Sequence, residues 1–184
     1  ETILFHAAAG GVGTIATQWA KSLGVRVIGT VSTREKAELA RANGCAEVII
    51  TSEENVVKRV KELTDGKGVP VVYDSVGKAT FVDSLDCLKP RGMMVSFGNA
   101  SGKVDPVPLQ WLVERGSLVL TRPSVAAFTV DKAEMLESAA EMFGVVASGA
   151  VKIQINQRFA LADVVKAHTE LENRRTTGCT VLIP

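Results

Sequence analysis

A chain of 184 residues, 46% hydrophobic and 22% charged, suffices for one domain with a real core, or one domain plus a short appendage. Its formal net charge of +1 gives no long-range field that would draw it to nucleic acid or to an anionic membrane. No apolar run approaches the ~20 residues that span a bilayer, and no signal-peptide pattern precedes the first strand.

Residues 2–7 are mostly apolar and β-compatible and run into Ala8-Ala9-Gly10-Gly11-Val12-Gly13. From there Val12, Ile15, Ala16, Trp19, Ala20 and Leu23 recur at the spacing of one helix face. Strand and helix signals then alternate: a strand at 25–31, a helix at 33–43 stopped by Gly44, a strand at 47–50 and a helix at 54–63 closed by Asp65-Gly66. Residues 69–73 are almost continuously apolar, as a strand buried on both faces of a parallel sheet requires. A helix at 78–88, stopped by Pro90, and strands at 93–97 and 118–121 follow. The expected fold is α/β, a Rossmann doubly wound, six-stranded parallel sheet in the order 3-2-1-4-5-6.

After Thr121 the alternation lapses. Asp131 is the expected N-cap of a helix with Leu136, Ala139, Ala140, Phe143 and Val146 on one face. A short strand at 151–155, a helix near 161–173 and a last strand at 179–183 complete the chain. Residues 1–150 are expected to form the dinucleotide-binding domain. Residues 151–184 look like a segment returning to a domain that is not present. Cys45, Cys87 and Cys179 are odd in number and far apart, so free thiols in a reducing, cytoplasmic setting are expected.

The glycine-rich turn between first strand and first helix is the main chemical signal. Such a turn aims backbone N–H groups and the positive end of a helix dipole at one spot, a seat for pyrophosphate. Gly10 would allow the tight turn, Gly11 and Val12 would present N–H groups, and Gly13 would let helix and sheet pack closely. Alanine stands at position 8, where the usual G-x-G-x-x-G fingerprint has its first glycine. The second strand ends in Thr30-Val31-Ser32-Thr33-Arg34-Glu35-Lys36, without the terminal acid that would accept from an NAD ribose. Hydroxyls and a cation there suit a 2′-phosphate, which favours NADP. Ser32 and Glu35 would also make a capping box for the next helix. Asp74-Ser75-Val76-Gly77 and Ser96-Phe97-Gly98-Asn99 end strands on the ligand-binding edge, the first as a capped turn or a direct contact. His6 and His168 are expected to be structural, and no residue is assigned a catalytic or metal-binding role.

With these elements in place, the chain resembles the C-terminal part of NADPH:quinone oxidoreductases of the medium-chain dehydrogenase/reductase superfamily. The resemblance covers essentially the whole chain. It rests on His6 to Gly13, Gly29-Thr30-Val31, Val72 to Gly77, Ser84 to Leu88, Val95 to Asn99, Thr121-Arg122-Pro123-Ser124 and the ending Leu182-Ile183-Pro184. It implies a zinc-free enzyme that passes hydride from NADPH to quinones or other conjugated carbonyls. Gly11 and Val12 would contact pyrophosphate, Ser32, Thr33 and Lys36 the 2′-phosphate, and Phe97, Gly98 and Asn99 would border the nicotinamide. Arg174 would reach the cofactor from the C-terminal segment. Thr51 stands where some relatives carry a tyrosine beside the 2′-phosphate. The resemblance also implies an absent N-terminal catalytic domain holding the acceptor pocket, and a homodimer built through the edge strand at 117–121. An enoyl or alkenal reductase and a non-catalytic dinucleotide-sensing module are the alternatives.

Overall fold

The computed structural model describes residues 1–184. Its first half runs β1 (Thr2–Phe5), α1 (Gly11–Ser22), β2 (Arg26–Val31), α2 (Arg34–Ala42), β3 (Glu47–Ile50), α3 (Val56–Leu63) and β4 (Val69–Asp74). Then come α4 (Phe81–Asp86), β5 (Leu88–Ser96), α5 (Gln110–Glu114), β6 (Val119–Thr121), α6 (Val125–Phe128) and α7 (Lys132–Ala147). The chain ends with β7 (Ile155–Ala160), a 3-10 turn at Leu161–Asp163, α8 (Val164–Glu172) and β8 (Cys179–Ile183).

Six strands pair in parallel in the order β3-β2-β1-β4-β5-β6, the doubly wound arrangement expected from the alternation. Strand pleating assigns the two faces. Ile3, Phe5, Val27 and Val31 pack under Ala37 and Ala40 of α2 and beside Ala16 and Ala20 of α1. Leu4, Ile28, Val72 and Met94 point the other way, against Val60 of α3 and Phe81 and Leu85 of α4. Leu4 and Ile28 are fully buried, each worth about 1.5–3 kcal/mol of hydrophobic stabilisation. The crossover from β3 to β4 changes faces, leaving a crevice at the carboxyl ends of β1 and β4.

Several element bounds depart from the sequence expectation, each for a local reason. The third helix starts at Val56 because Asn55 is its cap, accepting from Lys58 N, while Glu54 reaches back to Ile50 N. The helix expected at 78–88 is confined to α4, and Pro90 lies inside β5 instead of ending a helix. It sits where the β4–β5 register jumps, beside left-handed Arg91, whose N–H goes to Gly116 O. The strand expected at 151–155 is β7 instead. Lys152 N donates to Gln18 Oε1 of α1 and Lys152 O accepts from Gln18 Nε2, so this stretch docks on a helix and not on a strand. Asp131 caps α7 as expected, through Ala133 N and Glu134 N. Its apolar face is nevertheless open, with Leu136 54% and Phe143 71% exposed.

The last segment forms its own parallel pair, β7 with β8, connected through α8. Gly178 makes an isolated bridge to Gly10 and donates to Ala9 O at 3.1 Å, so the tail crosses the turn after β1.

Candidate functional site at the carboxyl edge of the sheet

β1 and β2 stay paired past Phe5, with Ala8 N donating to Thr30 O at 3.0 Å. The chain then turns into α1. The left-handed step falls on Ala7 (φ 54), and Gly10, with an ordinary φ of −79, closes the tight turn by donating its N–H to Ala7 O at 2.9 Å. An alanine in that region costs about 1 kcal/mol, which the surrounding pairing sustains. Ala8 replaces a fingerprint glycine without strain because β2 offers Gly29 opposite it: a Cβ on Gly29 would lie 2.8 Å from the Ala8 Cβ. Gly13 acts as expected, since a Cβ there would lie 2.5 Å from Ala7 O. Gly11 faces the tail, where a Cβ would stand 3.2 Å from Gly178 O.

The N-terminus of α1 is without a cap of its own. Gly10 has no side chain to accept from the first turn, and no acid lies in that turn. The first intrahelical donor is Thr14 N, to Gly10 O at 2.9 Å, so the N–H groups of Gly11, Val12 and Gly13 precede the ladder. Such an end is the kind of place an oxyanion can satisfy.

At the end of β2 the cap of α2 is Thr33, which accepts from Lys36 N at 3.3 Å. The capping box expected from Ser32 and Glu35 is therefore corrected. Counted from Thr33 its acid would have to stand at 36, where Lys36 is. The Glu35 carboxyl is held below its usual range by its own backbone N–H and the Thr33 hydroxyl. Ser32 lends its carbonyl to the Ser52 hydroxyl. Thr51 lies beside the strand end, as expected, with its hydroxyl committed to Val31 O at 3.1 Å. Arg34 is engaged by Glu53 at 2.9 and 3.2 Å. Lys36 takes a different route. Its Nζ donates to Arg174 O at 2.6 Å, across 138 positions of sequence, while Arg174 itself is left-handed (φ 59). The C-terminal segment thus reaches the end of β2 through the Arg174 backbone, and no side chain of the chain engages the Arg174 guanidinium.

The ends of β4 and β5 are joined into one wall. Phe97 N donates to Asp74 O, Ala100 N to Ser75 O and Ser101 N to Val76 O. Gly98 is pressed on Ser75, where any Cβ would overlap the Ser75 carbonyl. Beneath the wall Asp74 is fully buried and caps it, accepting from Val76 N and Gly77 N on one oxygen and from the Thr80 and Ser84 hydroxyls on the other. The capped-turn reading of this segment therefore holds. Ser84 gives its proton to Asp74, so it accepts from His6 Nε2 at 2.9 Å, and His6 Nδ1 accepts from Thr30 Oγ1 at 2.9 Å. Burial pushes the His6 pKa down, against the opposing pull of Asp74 and Asp83. His6 is a neutral strut tying β1, β2 and α4 together. The Phe97 ring packs on Phe5 with centroids 5.9 Å apart, so it is the backbone of 97–99 that lines the crevice. Two features here were not read from the sequence. Gly29 carried a signal, since a glycine inside a strand marks a close approach. The tail crossing at Gly178 carried none.

Residues 11–145 match the family model described as zinc-binding dehydrogenase. The chain belongs to that family. It is similar to the quinone oxidoreductase of Pseudomonas aeruginosa, 60% identical over 184 residues, which is all of this chain and 57% of that protein. It is also similar to a 2-haloacrylate reductase of a Burkholderia species, 45% identical over 185 residues, covering all of this chain and 56% of that protein. The solved structure of Escherichia coli quinone oxidoreductase complexed with NADPH superposes with a TM-score of 0.97 at 51% identity, over all of this chain and 57% of that one. The chain thus spans little more than half the length of these relatives.

The family's description refers to zinc. No three of the His, Cys, Asp and Glu side chains come together to hold a metal ion, so the residues of this chain do not fit a zinc site. By contrast, the uncapped turn and the Lys36–Arg174 pair fit a phosphorylated dinucleotide.

Proposed function

We propose that this chain is the NADPH-holding part of a zinc-independent quinone oxidoreductase. Residues 1–150 would be the dinucleotide domain and residues 151–184 the segment that returns to a catalytic domain. One observation carries the reading. An uncapped helix N-terminus and the end of β2, where Lys36 Nζ meets the backbone of Arg174 from the far end of the sequence, share one sheet edge. The relatives' names and the NADPH in the solved relative support it.

Within this reading Gly10, Gly11, Val12 and Gly13 hold the pyrophosphate through backbone N–H groups. Ser32, Thr33, Lys36 and Arg174 surround the 2′-phosphate, with Thr51 as a neighbour. Phe97, Gly98 and Asn99 border the nicotinamide through their backbone. NADPH, when bound, supplies hydride from its reduced ring. The work of these residues is to fix the depth and facing of that ring, and a quinone or other conjugated carbonyl would be presented by the remainder of the protein. Three free thiols, two of them buried, suit a cytoplasmic protein. The outer edge of β6 is short and apolar, with Val119 and Leu120 exposed, and a second copy would cover it in a homodimer.

The test is made on the full-length protein, following NADPH oxidation by absorbance with a benzoquinone and with a conjugated enoate. Turnover of the quinone at the higher kcat/KM is expected. Preference for the enoate would favour an alkenal or enoyl reductase. No turnover with either acceptor would overturn the enzymatic reading and leave a dinucleotide-sensing module.

A further inference from the structure

We propose that Arg122 is a positioning residue for the nicotinamide end of the cofactor, holding the peptide between Gly98 and Asn99 so that the Asn99 N–H is a preset donor for the ring's carboxamide. This rests on the reading that NADPH lies along the carboxyl edge. Arg122 directly follows β6 and reaches back under the loop that leaves β5. Its Nη1 donates to Ser96 O at 2.8 Å and to Gly98 O at 3.2 Å. With the Asn99 amide oriented to satisfy both neighbours, its Oδ1 accepts from Arg122 Nη2 at 3.2 Å and its Nδ2 donates to Gly98 O at 2.8 Å. One planar guanidinium therefore gathers three acceptors from four consecutive residues, a pattern that a lysine point charge cannot reproduce.

The consequence follows from peptide geometry. Every peptide bond in the chain is trans, so a carbonyl and the N–H of the next residue point in opposite directions. Gripping Gly98 O from the β6 side turns the Asn99 N–H away from Arg122. That N–H has no partner within the chain, and neither has the N–H of Gly98. On its other flank the loop is already held by Phe97 N to Asp74 O at 2.8 Å and Ser101 N to Val76 O at 2.8 Å. Loss of Arg122 would leave those bonds and the fold intact while freeing the 98–99 peptide to rotate.

The test compares NADPH with 2′,5′-ADP, which carries the 2′-phosphate but no nicotinamide, using calorimetry on wild type, Arg122→Ala and Arg122→Lys after thermal unfolding confirms that each folds. Arg122→Ala should weaken NADPH about tenfold or more while 2′,5′-ADP stays within about twofold. Arg122→Lys should recover only part of the loss, and it carries the test if the alanine variant does not fold. Emission from the bound reduced nicotinamide should shift in both variants. Equal weakening of both ligands, or wild-type NADPH affinity in a folded variant, would overturn the proposal alone. A wild type that binds neither ligand would overturn the cofactor reading and this proposal with it.

Discussion

Lys36→Ala probes the site where it is most unusual, at a contact joining two distant parts of the chain. Lys36 is half-buried, and its Nζ sits 2.6 Å from Arg174 O. The substitution removes one cation from the proposed 2′-phosphate site and also the tether on the left-handed turn that carries Arg174. A charge-assisted contact contributes about 1.5–3 kcal/mol, or about 10- to 150-fold in affinity. Partial exposure and physiological salt screen the pair, so the lower end, about tenfold, is expected for NADPH. NADH has no 2′-phosphate and should change less than about twofold. Because Lys36 places Arg174, the two should not act independently. Arg174→Ala should cost less in the Lys36→Ala background, with a coupling of about 0.5 kcal/mol or more. Calorimetric titration of wild type, both single variants and the double variant with both cofactors supplies the cycle. Equal losses for NADPH and NADH, or strictly additive effects, would refute the reasoning.

Stability should depend on the pH range where His6 titrates. Burial lowers its native pKa, so the unfolded chain takes up a proton that the folded one refuses. The contribution is complete above the ordinary value of about 6.5 and is lost as pH falls toward the lowered native value, at up to about 1.4 kcal/mol per pH unit. Denaturant midpoints between pH 7.5 and 5 check this, and a His6→Gln variant with the same slope would contradict it. Cys45 and Cys87 thiols are both pushed up to about 12 by burial, while Cys179 is partly exposed. A disulfide reagent should label one thiol in the native protein and all three in denaturant. Fast labelling of a second native thiol would argue against the packed core. Val119→Lys places a charge on the open edge of β6 and should convert a dimer to monomer in sedimentation, with little change in melting. A variant that still dimerises would remove that edge from the interface.

Most of the sheet was legible because its signals are local. Glu47–Ile50 and Val69–Asp74 are short, mostly apolar runs bounded by turn residues, which is enough to mark them as strands. The glycine-rich turn after β1 was legible for the same reason, although its strained residue is Ala7 and not a glycine. What escaped reading depends on groups far apart in sequence. Pro90 reads locally as a helix stop, yet a register jump against β4 accommodates it within a strand. Residues 151–154 are β-compatible, but the Gln18 side chain takes the N–H and carbonyl of Lys152. The apolar face of α7 follows helical spacing and remains exposed, so the spacing located the helix but not its place relative to the core. Arg122 lay within a motif that carried the family resemblance, but its role depends on where the loop after β5 places three carbonyl oxygens.

The proposed function requires this chain to select a dinucleotide carrying a 2′-phosphate. Calorimetric titration of the unmodified chain with NADPH and, separately, with NADH tests it most directly. NADPH should bind about tenfold or more tightly than NADH at physiological ionic strength, and the difference should shrink as salt rises. Equal affinities for the two cofactors, or a preference for NADH, would contradict it.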